Sequence, residues 1–276
     1  MKALPLAALM LFVTTVAGAA SGREEVSFAS HGVTLSGTLV FPAGEIRAGV
    51  VFVHGSGRQE RSLHWAERFA AAGIAALVYD KRGAGRSGGE YEGEQSVSGG
   101  NVALLADDAL AALEHLATHT RLKDKPSGLA GISQAGWIAP LAARKSRRVQ
   151  FLVLWSGPVC KVSEEDIYSK YTGDANEGPT PPYLEALRAR TVKYLWPGFL
   201  GRDTDSAEDL AALAIPGLWI FSDNDPSIPV DLSIRQLQAL RARGHLYDYA
   251  LFSGLGHDNM ERTFSVVTEW IQRQGK

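Results

Sequence analysis

At 276 residues, 45% hydrophobic and 21% charged, the chain has room for one large α/β domain or two small ones with a substantial core. Its formal charge of −2 gives no reason to expect nucleic acid or an anionic membrane surface as a partner. The only cysteine, Cys160, excludes an intramolecular disulfide; with no motif around it, it reads as a small buried hydrophobe rather than a nucleophile.

The first twenty residues read as a cleavable signal peptide. Lys2 supplies a short positive region, an apolar run follows over 4–16, and Ala17-Gly18-Ala19 has the small-x-small pattern of a cleavage site. The run is shorter than the roughly 20 residues a membrane span needs, so the expectation is export to the periplasm or medium without stable membrane insertion. The mature chain, 21–276, is then an α/β domain.

The pattern of the mature chain alternates strand and helix. "EEVSFASHGVTLSGTLVFPA" alternates around His31-Gly32 and predicts a β-hairpin. "AGVVFVHG" is a continuous apolar run, as in a strand buried on both faces. A helix is expected over 63–72 with Gly73 past its end, then a buried strand "IAALVYD". Leu104, Leu105, Ala109, Leu113 and Leu116 predict a helix, "SGLAGIS" a short strand, and 134–145 a helix. "VQFLVLWSG", "GLWIFSDND" and "HLYDYALFSG" read as strands, and 260–274 as a closing helix. Such repetition implies a mostly parallel sheet covered on both faces. Only residues 158–215 break the rhythm. They are rich in proline and aromatic residues, among them Tyr168, Tyr171, Tyr183, Tyr194, Trp196 and Phe199, and predict a helical cap insertion over the carboxyl edge of the sheet.

Chemistry centres on "GISQAG", residues 131–136. Ser133 stands between a strand and a helix, where a sharp turn projects its hydroxyl from the sheet edge. The second glycine of a G-x-S-x-G motif is displaced to Gly136, with Ala135 in its place. An N-cap serine is the bland alternative. His257 lies in the loop between the last strand and the last helix, which suits a general base. His31, His64 and His245 are worse placed. His115 and His119, beside Glu114, do not form H-E-x-x-H and read as a solvated face, not a metal site. Asp223 and Asp225 both follow the preceding strand, and spacing does not separate them; Asp258 adjoins the histidine and would point away. Amide donors for an oxyanion are expected from Gln134 and from the loop His54-Gly55-Ser56-Gly57, with Ser56 first and Gly57 next. His54 reads as structural. Arg58 and Arg61 either attract an anionic substrate group or face water.

These segments, with "YDKRGAGRSGG" at 79–89, Asp225-Pro226-Ser227-Ile228-Pro229 and Gly256-His257, resemble the α/β-hydrolase superfamily. Within it the chain is similar to bacterial exported esterase-type hydrolases related to the dienelactone hydrolase and prolyl-oligopeptidase branches. The resemblance spans almost all of 21–276, in the family's order. It implies an α/β-hydrolase fold, with Ser133 as nucleophile, Asp225 as acid and His257 as base. It needs no cofactor or metal, and it acts on a small-molecule ester or a short peptide. It also makes 80–89 a structural turn rather than a phosphate loop, with its guanidinium groups bonded to loop backbone beside the site. Ala135 departs from many members. A non-catalytic exported binding protein on the same fold is the rival of a different class.

Overall fold

The computed structural model describes residues 22–93, 96–175, 178–189 and 202–275. The predicted signal peptide and three insertion aromatics, Tyr194, Trp196 and Phe199, lie outside the described residues. Eight strands form one sheet in the order β1-β2-β4-β3-β5-β6-β7-β8. The first two, β1 (Arg23–Ser30) and β2 (Val33–Val40), make an antiparallel hairpin. Its turn, His31-Gly32, has φ of +48° and +73°, the two left-handed positions of a two-residue hairpin loop. β2 pairs antiparallel with β4 (Ile74–Tyr79). From there β3 (Ala48–Val53), β5 (Ser127–Ile132), β6 (Leu152–Trp155), β7 (Gly217–Ser222) and β8 (Tyr247–Phe252) continue in parallel.

The continuous apolar runs follow from burial on both faces. Along β3, Val51 and Val53 point into one core with Leu77, Leu154 and the apolar sides of α2 (Gly99–Ala117) and α3 (Ala135–Lys145). Val50 and Phe52 point into the other, with Trp155, α1 (Leu63–Ala71) and α8 (Met260–Gln274). A strand so placed has no polar face to show, so the period-2 alternation disappears.

Two expectations need correction. The strand read from "VQFLVLWSG" is only four residues long; just before it, Ser127 N donates to the side-chain Oε1 of Gln150 at 2.8 Å. A helix absent from the sequence reading, α7 (Val230–Ala242), fills the crossover from β7 to β8, with Leu237 and Leu240 in the core. Between β6 and β7 lie α4 (Val162–Thr172), α5 (Tyr183–Ala189) and α6 (Ser206–Ala211). Tyr168 and Tyr183, two of the aromatics of the insertion, are buried with Cys160 and Ile167 in a small core of their own. Cys160 is fully buried and burial pushes its thiol pKa well up, so it is an inert hydrophobe.

Candidate active site

Chain direction across the sheet reverses at β3, which has β4 on one side and β5 on the other. The segments leaving β3 and β5 therefore diverge and open a crevice at their carboxyl ends, where open α/β sheets bind ligands. Ser133 stands at that point. Its φ of +56° puts a non-glycine residue in the left-handed region, a strain of about 1–3 kcal/mol that the surroundings must hold. They do so through Ser133 N–H to Trp155 O at 3.0 Å and Gly136 N–H to Ser133 O at 2.8 Å. A plain N-cap residue has no need of this conformation.

The displaced glycine has a packing reason. A methyl group on Gly131 would lie 2.5 Å from both Ala135 Cβ and Val53 O, so the one methyl that Ala135 carries is accommodated by the absence of another across the turn. Gly136 meets a different neighbour: a Cβ there would come within 2.6 Å of Pro158 N and 2.8 Å of Gly157 C. The start of α3 thus packs backbone to backbone on the loop leaving β6. Gly136→Ala is expected to cost about 1–3 kcal/mol by overpacking. Urea denaturation should show a lowered midpoint at unchanged slope, and an unchanged midpoint would refute the close approach.

His257 and Asp225 meet after β8 and β7. His257 Nδ1 donates to Asp225 Oδ1 at 2.8 Å and Oδ2 at 2.9 Å, and the carboxylate is fully buried. Asp225 Oδ1 also accepts from the amides of Ser227 at 3.0 Å and Ile228 at 3.3 Å, so the Pro226–Pro229 turn aims it. Asp223 is occupied elsewhere, accepting from Ser253 Oγ and Gly254 N, both at 2.7 Å, on the surface. Burial alone would push the His257 pKa down; the Asp225 bond and charge, with Asp258 and Asp174 behind them, outweigh it and raise the value above 6.5. Among the described residues Nε2 of His257 has no protein partner, and no direct Ser133–His257 hydrogen bond is formed.

Two residues passed over in the sequence tie these loops to the Ser133 turn. Ser156, at φ +44° directly after β6, donates its hydroxyl to His257 O at 2.8 Å and accepts from Asn259 Nδ2 at 3.0 Å. Since Trp155 O already holds the Ser133 amide, one strand end fixes both. The signal was available: Ser156-Gly157 follows a buried strand just as Ser133 does. The insertion braces the loop after β7, with Thr172 Oγ1 donating to Pro226 O at 2.6 Å and Thr180 N to Asp223 O at 3.1 Å.

On the other side of Ser133 lies the loop after β3. A methyl on Gly55 would sit 3.4 Å from Ser133 Cβ, so this loop is in contact range of the Ser133 turn. Ser56 is exposed, Gly57 half-buried at φ +89°, and Gln134 fully buried at the N-cap of α3. Gln134 is the N-cap of α3, so its N–H is one of the helix-start amides that have no intrahelical acceptor. His54 is buried, its ring bonded to the backbone of Tyr79 and Glu60. Burial, with the Lys81 charge, drives its pKa down to about 3, so it stays neutral.

Arg61, Arg82 and Arg86 are held in ion pairs. Arg61 is not a substrate group and does not face water. It is buried and clasps Asp80 through Nε (2.9 Å) and a terminal nitrogen (2.7 Å), with Thr38 Oγ1 also in reach at 3.1 Å. Asp80 in turn accepts from the amides of Arg61 and Arg86, which explains the turn at 80–89. Nor do the guanidinium groups of that turn bond to backbone beside the nucleophile: Arg82 pairs with Asp108 and bonds Ser30 O, and Arg86 pairs with Glu25. Arg58 is exposed. Arg61→Ala leaves a buried carboxylate without its cation, and the expected loss is about 3–5 kcal/mol of stability by urea denaturation; a change within error contradicts the pairing. His119 lies against Glu24 at 3.2 Å, and among the described residues no group of three or more His, Cys, Asp or Glu could hold a metal ion.

A cavity of about 270 Å3 opens between the loops after β3 and β8, floored by Phe52, Trp65, Ile132 and Met260 and rimmed by Glu60 and Asp258.

With this geometry in hand, residues 44–206 match the family model Hydrolase_4, described as serine aminopeptidase, S33. This chain belongs to that family of α/β-hydrolases. Solved structures agree on the fold. An esterase of Pyrococcus furiosus aligns with a TM-score of 0.61 at 18% identity, over 92% of this chain and 91% of that one. The acylaminoacyl peptidase of Pyrococcus horikoshii gives 0.67 at 17%, over 93% of this chain but only 42% of its own length. The α/β-hydrolase GrgF of a Penicillium species gives 0.63 at 18%, over 91% and 98%. At such identities the likeness is one of fold. No curated protein matches the sequence. The S33 assignment makes the chain a hydrolase with a small-molecule or peptide substrate, and no helix among the described residues is long and apolar enough to cross a membrane.

Proposed function

We propose that this S33 chain is a serine hydrolase that cleaves carboxylic esters through a Ser133–His257–Asp225 triad and an acyl-enzyme. The observation that carries the reading is the buried His257–Asp225 pair, with Nε2 uncommitted, on the same sheet edge as a serine held at φ +56°. His257 takes the Ser133 proton as the hydroxyl oxygen attacks the ester carbonyl, and the amides of Ser56 and Gln134 receive the developing oxyanion. Collapse expels the alcohol, protonated by His257, and water repeats the sequence to release the acid. The missing Ser133–His257 bond fits a resting enzyme, in which such bonds are often long until substrate arrives.

The family description favours a second reading, an aminopeptidase acting on short peptides. Initial rates on p-nitrophenyl acetate and butyrate against prolyl and alanyl p-nitroanilides separate the two. Faster esters are expected, and faster anilides would reverse the order. The helices between β6 and β7 act in this reading as a cap. The amino-terminal pattern supports export, checked by whether the protein recovered from outside the cytoplasm begins just after residues 19–20.

A further inference from the structure

Lys81 is a buried cation with no role in the steps above. It is 2% exposed, and its Nζ donates to three acceptors: Gly55 O at 2.8 Å, Gly57 O at 3.1 Å and Gln134 Oε1 at 2.7 Å. Three N–H groups meet three acceptors, none of them charged. The neighbouring carboxylate, Asp80, is committed to Arg61, and Arg82 to Asp108. A buried ammonium without a counter-ion is costly, so a structural staple alone is a poor reason to keep one there.

Its partners explain the cost. Gly55 C=O belongs to the same peptide unit as Ser56 N–H. A cationic donor on that carbonyl polarises the unit and makes the amide a stronger donor. Gln134 supplies the other amide, and its side chain is gripped by Lys81 on one side and by Ser96 O on the other. Resting on the oxyanion reading of Ser56 and Gln134, we propose that Lys81 is a positioning residue of the oxyanion hole. It holds the two amides at a fixed spacing across the β3–β5 crevice and lends its charge to the transition state through them.

Burial lowers the Lys81 pKa to about 8. Of the groups facing it, His54 is held neutral and Asp80 stays ionised against Arg61; the Tyr91 ring lies 5.9 Å away. Above pH 8 the neutral amine has two N–H groups for three acceptors, and a lone pair turned towards an oxygen. The clamp loosens as pH rises.

Lys81→Met keeps most of the unbranched side chain, one atom shorter, and removes the charge. Steady-state kinetics of wild type, Lys81→Met and Ser133→Ala on p-nitrophenyl butyrate from pH 6 to 10 test the proposal, with inhibition by an aryl trifluoromethyl ketone as the transition-state probe. Expected for Lys81→Met at pH 7 are a 10- to 100-fold loss in kcat, KM within about threefold, and a parallel loss in ketone affinity. Wild type is expected to lose kcat on the alkaline side near pH 8, and that fall should be missing from the variant. Wild-type kcat in the variant, or a loss confined to KM, overturns the role of Lys81 while the dead Ser133→Ala enzyme leaves the hydrolase reading standing. Turnover that persists in Ser133→Ala overturns both. Should Lys81→Met fail to fold by thermal melting, wild type decides alone: a kcat flat from pH 7.5 to 10 overturns the proposal.

Discussion

Ser133→Ala is expected to lower kcat for p-nitrophenyl butyrate by on the order of 10^6-fold, with KM little changed. The size of the effect follows from the division of labour at the carboxyl edge. Without an attacking oxygen, the His257–Asp225 pair has no proton to take and the amides no oxyanion to bind, so only ground-state contacts remain. Such contacts set KM, not kcat. Circular dichroism should superimpose on wild type, because the hydroxyl of Ser133 makes no bond that holds the turn; its backbone N–H and C=O do that. A loss under tenfold would remove Ser133 from the chemistry.

Asp225→Asn carries the second largest effect, about 10^4-fold in kcat. The amide can present its NH2 to the imidazole and trap the wrong tautomer, with the proton on Nε2 where a base needs a lone pair. It should also shift the pH profile, and the sign can be worked out. The base must be neutral, so kcat/KM falls as pH drops through the His257 pKa of the free enzyme. Asp225 raises that pKa against the lowering by burial. With the carboxylate gone, burial is left less opposed, and the acid limb moves to lower pH. An acid limb that stays in place, or moves up, would show that Asp225 does not govern the histidine. Asp223→Asn is the control, since its carboxylate serves only Ser253 and Gly254.

How much of this could be read before the fold was known depends on the range of the interaction. Strands β3, β4 and β7 announce themselves as apolar runs because both faces are buried, and α8 was bounded at 260–274 from its one-sided spacing. Ser133 and His257 stand out as candidates because each follows a strand, and a strand end is a local property; Asp225 is singled out from Asp223 only by the resemblance, since both follow the same strand. Helix α7 was passed over because the prolines of the acid loop mask its start: Pro229 occupies the N-cap position, and Val230, Leu237 and Leu240 continue at helical spacing up to Gly244. What could not be read are the partners of charges. Arg61 reaches Asp80 nineteen residues on, and Arg82 reaches Asp108 twenty-six residues on, across elements whose packing no local pattern encodes. Lys81 looked like one more cation in a glycine-rich turn until the loop after β3 and the start of α3 closed around it. The glycine of "GISQAG" is the intermediate case. Its displacement was visible, and its cause, Pro158 lying on the first turn of α3, was not.

The most direct test is covalent. A fluorophosphonate probe reacts with a serine only where a base and oxyanion donors activate it. Intact-mass measurement of the folded protein, followed by peptide mapping, should find one adduct, on Ser133, and none in Ser133→Ala. An unlabelled wild-type protein, or equal labelling of Ser133→Ala, would mean that the edge built from β3, β5, β7 and β8 is not a serine hydrolase site.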